Sequence, residues 1–167
     1  GCYVLPGFVD LHVHGGLGFD VSAGMFDAKT RTFDDSESHY KRMLPELARH
    51  FARHGVTFAP VATVACSEEK LCRALGLLAD YVESDRNGGD GCYIGGAFIE
   101  GTFVKNERFA GAQNPRNFRA PSIELFDRLD KASRGTVRYV NVTPEFGPSA
   151  MELIAELSRR GVLAGAG

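Results

Sequence analysis

Two histidines one residue apart, His12 and His14, followed at once by Gly15 and Gly16, are the residues of this sequence best placed to do chemistry. Read as a strand, Phe8 to His14 puts Phe8, Asp10, His12 and His14 on one face and Val9, Leu11 and Val13 on the other, because strand side chains repeat every two residues. Both imidazoles then point the same way, as two neutral nitrogen ligands for a divalent metal would. Val9, Leu11 and Val13 are expected to pack against helices while the polar face turns into a concave interior. The glycines let the backbone turn at the strand end and approach a metal or ligand closely. A pair of hydrogen-bonded core histidines would show the same spacing; the flanking Pro6-Gly7-Phe8 and the trailing glycines favour metal.

A second group with chemical potential is Glu100, which ends the predicted strand Cys92 to Glu100 and precedes Gly101. A carboxylate at the C-terminal end of a strand in an α/β pattern sits where such folds keep their chemistry. On its own it could equally be a helix cap or a surface acid. His50 and His54 also have metal-ligand spacing, but they fall in the last turns of a predicted helix, where donor side chains meet the exposed carbonyls. Glu145 is read as a charge at a helix start rather than as a catalytic acid.

The elements that must hold these residues alternate along the chain. After a glycine- and aspartate-rich loop from Phe19 to Asp35, Ser36 or Ser38 caps a helix with Met43, Leu44, Leu47, Ala48 and Phe51 on one side, closed by Gly55. Pro45 fits its first turns only if the helix begins near Lys41. Val56 to Val64 reads as a buried strand with a bulge or end at Pro60. Ser67 caps a second helix carrying Leu71, Leu75, Leu78, Ala79 and Val82. Beyond Glu100, Ser122 opens a helix with Ile123, Phe126, Leu129 and Ala132 inward. Thr136 to Val142 is strand four, Ser149 to Arg160 the fourth helix, and the apolar run from Gly161 to Gly167 a fifth strand. Strands and helices in this order predict a parallel sheet with helical crossovers.

Pro6-Gly7-Phe8-Val9-Asp10-Leu11-His12-Val13-His14-Gly15 resembles the first-strand signature of the amidohydrolase superfamily, metal-dependent hydrolases on a (β/α)8 barrel. Gly95-x-x-Phe98-Ile99-Glu100-Gly101-Thr102-Phe103 followed by Gly111-Ala112-Gln113-Asn114-Pro115 resembles its N-acetylglucosamine-6-phosphate deacetylase branch. The resemblance implies an α/β fold, the first half of a TIM-type barrel, with strands one to five spread over residues 1–167. It implies metal ligation by His12, His14 and Glu100, and substrate contact by Gln113 and Asn114. The metal expected is zinc, with iron or another divalent ion as alternatives. Thr102 stands where the family has Pro, Phe98 where it often has His, and Gln113 where it has a substrate-facing His. Strand four holds Arg138 but no lysine, which lowers readings that need a carbamylated lysine from that strand. Thr143-Pro144-Glu145 is a further, weak tripeptide match.

With that ligand set, an ion would lower the pKa of bound water from about 15.7 to about 7, enough for attack on an amide carbonyl. Asp10 could orient a histidine through its second nitrogen. The expected reaction of the intact protein is deacetylation of N-acetylglucosamine 6-phosphate, an amino-sugar phosphate, to glucosamine 6-phosphate and acetate. The alternatives are another barrel metallohydrolase, such as a TatD-like nuclease or a different amidase, and an inactive homologue. In the resembled family further metal histidines lie on strands five and six and the catalytic Asp on strand eight. No residue of this chain is assigned a catalytic acid or base role, and the polypeptide as it stands is expected to be inactive.

Composition fits this reading. The chain has 167 residues, 44% hydrophobic and 24% charged, with a net charge of −2 and no basic run, so nothing points to nucleic acid or an anionic membrane surface. Cys2, Cys66, Cys72 and Cys92 form no Cys-x-x-Cys pair, which argues against a zinc ribbon, a redox motif or a disulfide scaffold and suits a cytoplasmic protein. No apolar run is long enough to span a membrane. A complete barrel needs roughly 250 residues, so both ends read as cut. The intact protein is expected to be a homodimer.

Overall fold

A computed structural model describes residues 2–166. The chain opens with a short strand, β1 (Phe8–Val9), and four strands of a small antiparallel sheet: β2 (Gly15–Gly16), β3 (Phe19–Asp20), β4 (Gly24–Asp27) and β5 (Thr32–Asp34). Helices and strands then alternate: α1 (Glu37–Arg53), β6 (Val56–Ala62), α2 (Glu68–Val82), β7 (Tyr93–Phe103), α3 (Ile123–Ala132), β8 (Val137–Val142), α4 (Pro148–Arg159) and β9 (Leu163–Gly165). The main sheet is five-stranded in the order β1-β6-β7-β8-β9, and every pair is parallel. Sequential strands that are parallel neighbours require the intervening helices as crossovers. The last residue of the apolar run at the C-terminus, Gly167, lies outside the described residues.

Helix ends follow their capping residues. The Ser67 hydroxyl accepts from the Lys70 N–H at 3.3 Å and the Ser122 hydroxyl from the Leu125 N–H at 3.2 Å, each satisfying one of the orphan donors of a first turn. At the end of α1, His54 Nδ1 lies 2.8 Å from the His50 carbonyl, so this pair serves the helix terminus. Helix α1 starts at Glu37, which places Pro45 well inside it. Proline there has no N–H to give the preceding turn. The apolar stripe still runs through: Tyr40, Met43, Leu44, Pro45, Leu47, Ala48 and Phe51 are all buried.

One core joins helices and sheet. Leu47, Leu75, Leu78, Phe126, Leu129, Val140 and Leu157 are fully or almost fully buried, alongside Ile94, Ile99 and Phe103 of β7. Exposed ion pairs lace α2 to α3: Arg128 grips both Glu68 oxygens, at 2.5 and 3.1 Å, and Arg134 reaches Asp80 and Glu83, both at 2.8 Å. Such surface pairs contribute at most about 1 kcal/mol each, so apolar burial carries the stability.

Two expectations from the sequence need correction. The first strand does not run from Phe8 to His14. It stops at Val9, and the chain bends because Asp10 Oδ1 accepts from the His12 N–H at 3.0 Å, a local turn that competes with the ladder. Pairing resumes only at Val13, bridged to Val61. Val9 and Leu11 are 57% and 64% exposed rather than packed under helices, and only Val13 joins the core. The second correction concerns residues 19–35, which carry three strands of the small sheet instead of a loop. Its turns are made by aspartates: Asp20 accepts from the Ser22 and Ala23 N–H groups, and Asp27 from those of Lys29 and Thr30. Strands of two to four residues between such turns are too short to show a period.

Leu78 has no exposed surface. Leu78→Ala should lower unfolding free energy by about 2–5 kcal/mol, read as a drop in denaturant midpoint at unchanged slope; a loss under about 1 kcal/mol would show that α2 does not pack into the shared core as described.

Candidate metal centre

The histidine pair owes its orientation to the residue between its members. Val13 pairs with Val61, its carbonyl accepting from the Ala62 N–H at 2.8 Å, and its side chain packs into the core. His12 and His14 are therefore both turned away from the core. Beyond them Gly15, at φ +150°, starts β2, where a Cβ would meet the Phe19 carbonyl oxygen at 2.0 Å. Only glycine allows the chain to leave the sheet here.

From β7, Glu100 meets the two rings. His12 Nε2 lies 2.5 Å and His14 Nε2 3.1 Å from the same carboxylate oxygen, Glu100 Oε2, and the two Nε2 atoms lie 3.3 Å apart. One ligand atom from each residue falls within 4.8 Å of the others. The donor set, two imidazole nitrogens and a carboxylate oxygen, is one that zinc and similar divalent ions take. The 3.3 Å between the nitrogens matches the separation of about 3.3–3.4 Å between ligands of a tetrahedral zinc, whereas the 2.5 Å from His12 Nε2 to Glu100 Oε2 is a direct hydrogen-bond contact that would have to open to admit an ion. Among the described residues, His14 Nδ1 is the one buried side-chain nitrogen or oxygen without a hydrogen-bond partner. A carboxylate only accepts, so in this arrangement Nε2 carries the proton of a neutral His14 and Nδ1 is left without one; with Nε2 on a cation, that proton would sit on Nδ1.

The carboxylate is held from behind. The Glu100 N–H donates to Thr63 Oγ1 at 3.2 Å, fixing the backbone of β7 against the end of β6. Glu100 Oε1, the oxygen facing away from the histidines, accepts from Gln113 Nε2 at 3.0 Å, and Gln113 Oε1 accepts from the Ala65 N–H at 2.6 Å. The ring of Phe98 meets His12 edge-on, centroids 5.0 Å apart. Burial pushes the Cys66 thiol up to about 11, so near neutral pH it is a protonated thiol.

Glu100 and Gln113 line a cavity of about 490 Å³ at the C-terminal ends of the strands, with Asn141, Thr143 and Glu145 on its far side. Asn114 does not line it; its Oδ1 accepts from the Arg116 N–H at 3.2 Å, capping a short 3₁₀ turn. Glu145 lies in the first turn of another 3₁₀ segment, in keeping with its reading as an element-start charge. Asp10 spends one oxygen on the His12 backbone N–H, so it steadies the bend in front of the histidine. Sequence reasoning passed over Thr63 and Asn141. The signal available was a polar residue near the C-terminal end of an otherwise apolar strand, the same one that marked Glu100.

Gly101 sits at φ +77°, and a Cβ there would lie 2.4 Å from Gln113 Oε1 and 2.9 Å from the Ala65 nitrogen. Gly135, at φ +75°, has open space around it. Gly135→Ala should therefore cost only the left-handed backbone penalty, about 1–2 kcal/mol. Gly101→Ala should cost clearly more by the same denaturation measurement, and equal losses would mean that Gln113 and Ala65 do not crowd the glycine.

No family model matches the chain. In sequence it is 29% identical over 164 residues to the N-acetylglucosamine-6-phosphate deacetylase of Bacillus subtilis, and 31% identical over 157 residues to the N-acetylgalactosamine-6-phosphate deacetylase of Escherichia coli O157:H7. These matches take in 98% and 94% of this chain but 37% and 36% of the two proteins. In structure it is similar to a mutant N-acetyl-D-glucosamine-6-phosphate deacetylase from Mycobacterium smegmatis in complex with N-acetyl-D-glucosamine-6-phosphate, with a TM-score of 0.74 and 32% identity over 97% of this chain and 36% of that one. By sequence and by fold, the chain is similar to the N-acetylglucosamine-6-phosphate deacetylases, over a segment little more than a third of their length.

Proposed function

We propose that residues 1–167 form strands one to five, with their helices, of a (β/α)8 barrel, and that the protein built on them is a metal-dependent amide hydrolase. Its reaction is deacetylation of N-acetylglucosamine 6-phosphate to glucosamine 6-phosphate and acetate. The observation that carries this reading is the approach of His12 Nε2 and His14 Nε2 to Glu100 Oε2, at 2.5 and 3.1 Å, beside a cavity large enough for a sugar. The parallel five-stranded sheet, with the candidate site at the C-terminal ends of its strands, supports the barrel. The similarity to deacetylases in sequence and structure supports the reaction. Zinc as the ion, a homodimeric assembly and a cytoplasmic location follow the family resemblance.

Within this mechanism His12, His14 and Glu100 hold the ion, and Thr63 and Gln113 keep the carboxylate turned toward it. When bound, a divalent cation supplies a Lewis acid that polarises the amide carbonyl and acidifies water toward neutral pH. The cavity wall of Asn141 and Thr143 offers hydrogen-bonding groups to a polyhydroxylated ligand. No helix among the described residues is long and apolar enough to cross a membrane.

The test is metal analysis and acetate release on the full-length protein, with both N-acetylglucosamine 6-phosphate and N-acetylgalactosamine 6-phosphate as substrates. The expected result is bound divalent metal and acetate from an N-acetylhexosamine 6-phosphate. Glu100→Ala and His12→Ala should each lower metal content and cut turnover by more than about 100-fold, since losing a ligand should exceed the 10–100-fold effect of losing a residue that orients one. Metal without acetate from either sugar would assign a different metallohydrolase, and no metal would assign an inactive homologue.

A further inference from the structure

The side-chain amide of Gln113 makes two hydrogen bonds, in opposite senses, from one end: Nε2 to Glu100 Oε1 at 3.0 Å and Oε1 from the Ala65 N–H at 2.6 Å. The partners dictate the orientation, because a backbone N–H can only donate and an ionised carboxylate can only accept. A carboxylate at this position could serve Ala65 but not Glu100. An imidazole has its donor and acceptor on different sides of the ring and could not face both from one end. Gly101 makes room for this contact, since any Cβ there would strike Gln113 Oε1. Asn117 holds the other side of the same Ala65 residue, Nδ2 donating to its carbonyl at 3.0 Å.

We propose that Gln113 is a positioning residue that ties Glu100 Oε1 to the loop after β6 and so presents Oε2 to the two histidines. The inference rests on the proposed metal role of those three residues. It gives Gln113 a task other than direct contact with the sugar: both polar ends of its amide are engaged within the protein, and the site's carboxylate depends on one of them. A free Glu100 side chain would sample rotamers that turn Oε2 away from the rings, and each lost population weakens ion binding in proportion.

Co²⁺ is the probe, titrated into the metal-free full-length protein and followed by visible absorption, with the thermal midpoint of the metal-free form measured alongside. Gln113→Met, nearly equal in size and without polar atoms, should weaken Co²⁺ binding by about tenfold or more, in the range of residues that orient a metal ligand. Asn117→Leu removes the other grip on Ala65 and leaves the Gln113–Glu100 bond in place. It should lower the thermal midpoint while weakening Co²⁺ binding much less than Gln113→Met does, because the Gln113–Glu100 bond itself remains. Equal weakening by the two variants, or unchanged affinity in Gln113→Met, would overturn the positioning role. Absence of Co²⁺ binding in the wild type would overturn the metal reading beneath it. A readout that needs no variant is the Gln113 side-chain amide in the metal-free wild type: a clamped amide exchanges its hydrogens slowly by NMR, and exchange at the rate of a free amide contradicts the clamp.

Discussion

Three polar atoms that water would separate are kept together at the ends of the strands: Nε2 of His12, Nε2 of His14 and Oε2 of Glu100. His12 and Glu100 are 88 positions apart in the chain, and the stretch between them forms two helices, a strand and a small sheet whose packing places β1, β6 and β7 side by side. Holding two imidazole nitrogens 3.3 Å apart is costly unless something positive lies between them or one of them carries a proton. A cation shared by the three atoms, as proposed, would answer that cost and turn it into affinity. The same constraint explains the supports behind the site. Thr63 fixes the Glu100 backbone, Gln113 fixes its far oxygen, and Val13 fixes the direction of both histidines.

The scaffold carries little that is specific to this chemistry. Leu, Ile and Phe burial stabilises the helix-on-sheet layers, and the site occupies the strand ends, where loops can vary without disturbing the core. Two glycines serve the candidate site. Gly15 lets the chain leave the sheet after the histidines, and Gly101 lets the Gln113 amide approach β7.

Most of the helices and strands were legible in the sequence because their signals are long. The stripe of α1, the capped start of α2 and the β-branched run of β6 each extend over enough residues for a period to show. The break at Pro60 was legible too, and the register shift between Ala59 and Val61 is where it falls. What was not legible came from short-range polar chemistry. Asp10 bending the chain in front of His12 looks in sequence like one more member of an alternating strand, and the small sheet of residues 15–34 looks like a loop. The deacetylase resemblance drawn from Gly95 to Pro115 agrees with the relatives found by sequence and by fold. The hydrogen bonds of Gln113 have no local signature at all, because Ala65 is 48 residues away and only the fold brings it near.

Anomalous diffraction from crystals of the full-length protein grown with zinc tests the central claim most directly. A zinc peak within about 2.0–2.2 Å of His12 Nε2, His14 Nε2 and a Glu100 carboxylate oxygen is the predicted result. A fully occupied zinc elsewhere, with these three side chains bonded only to one another, would contradict it.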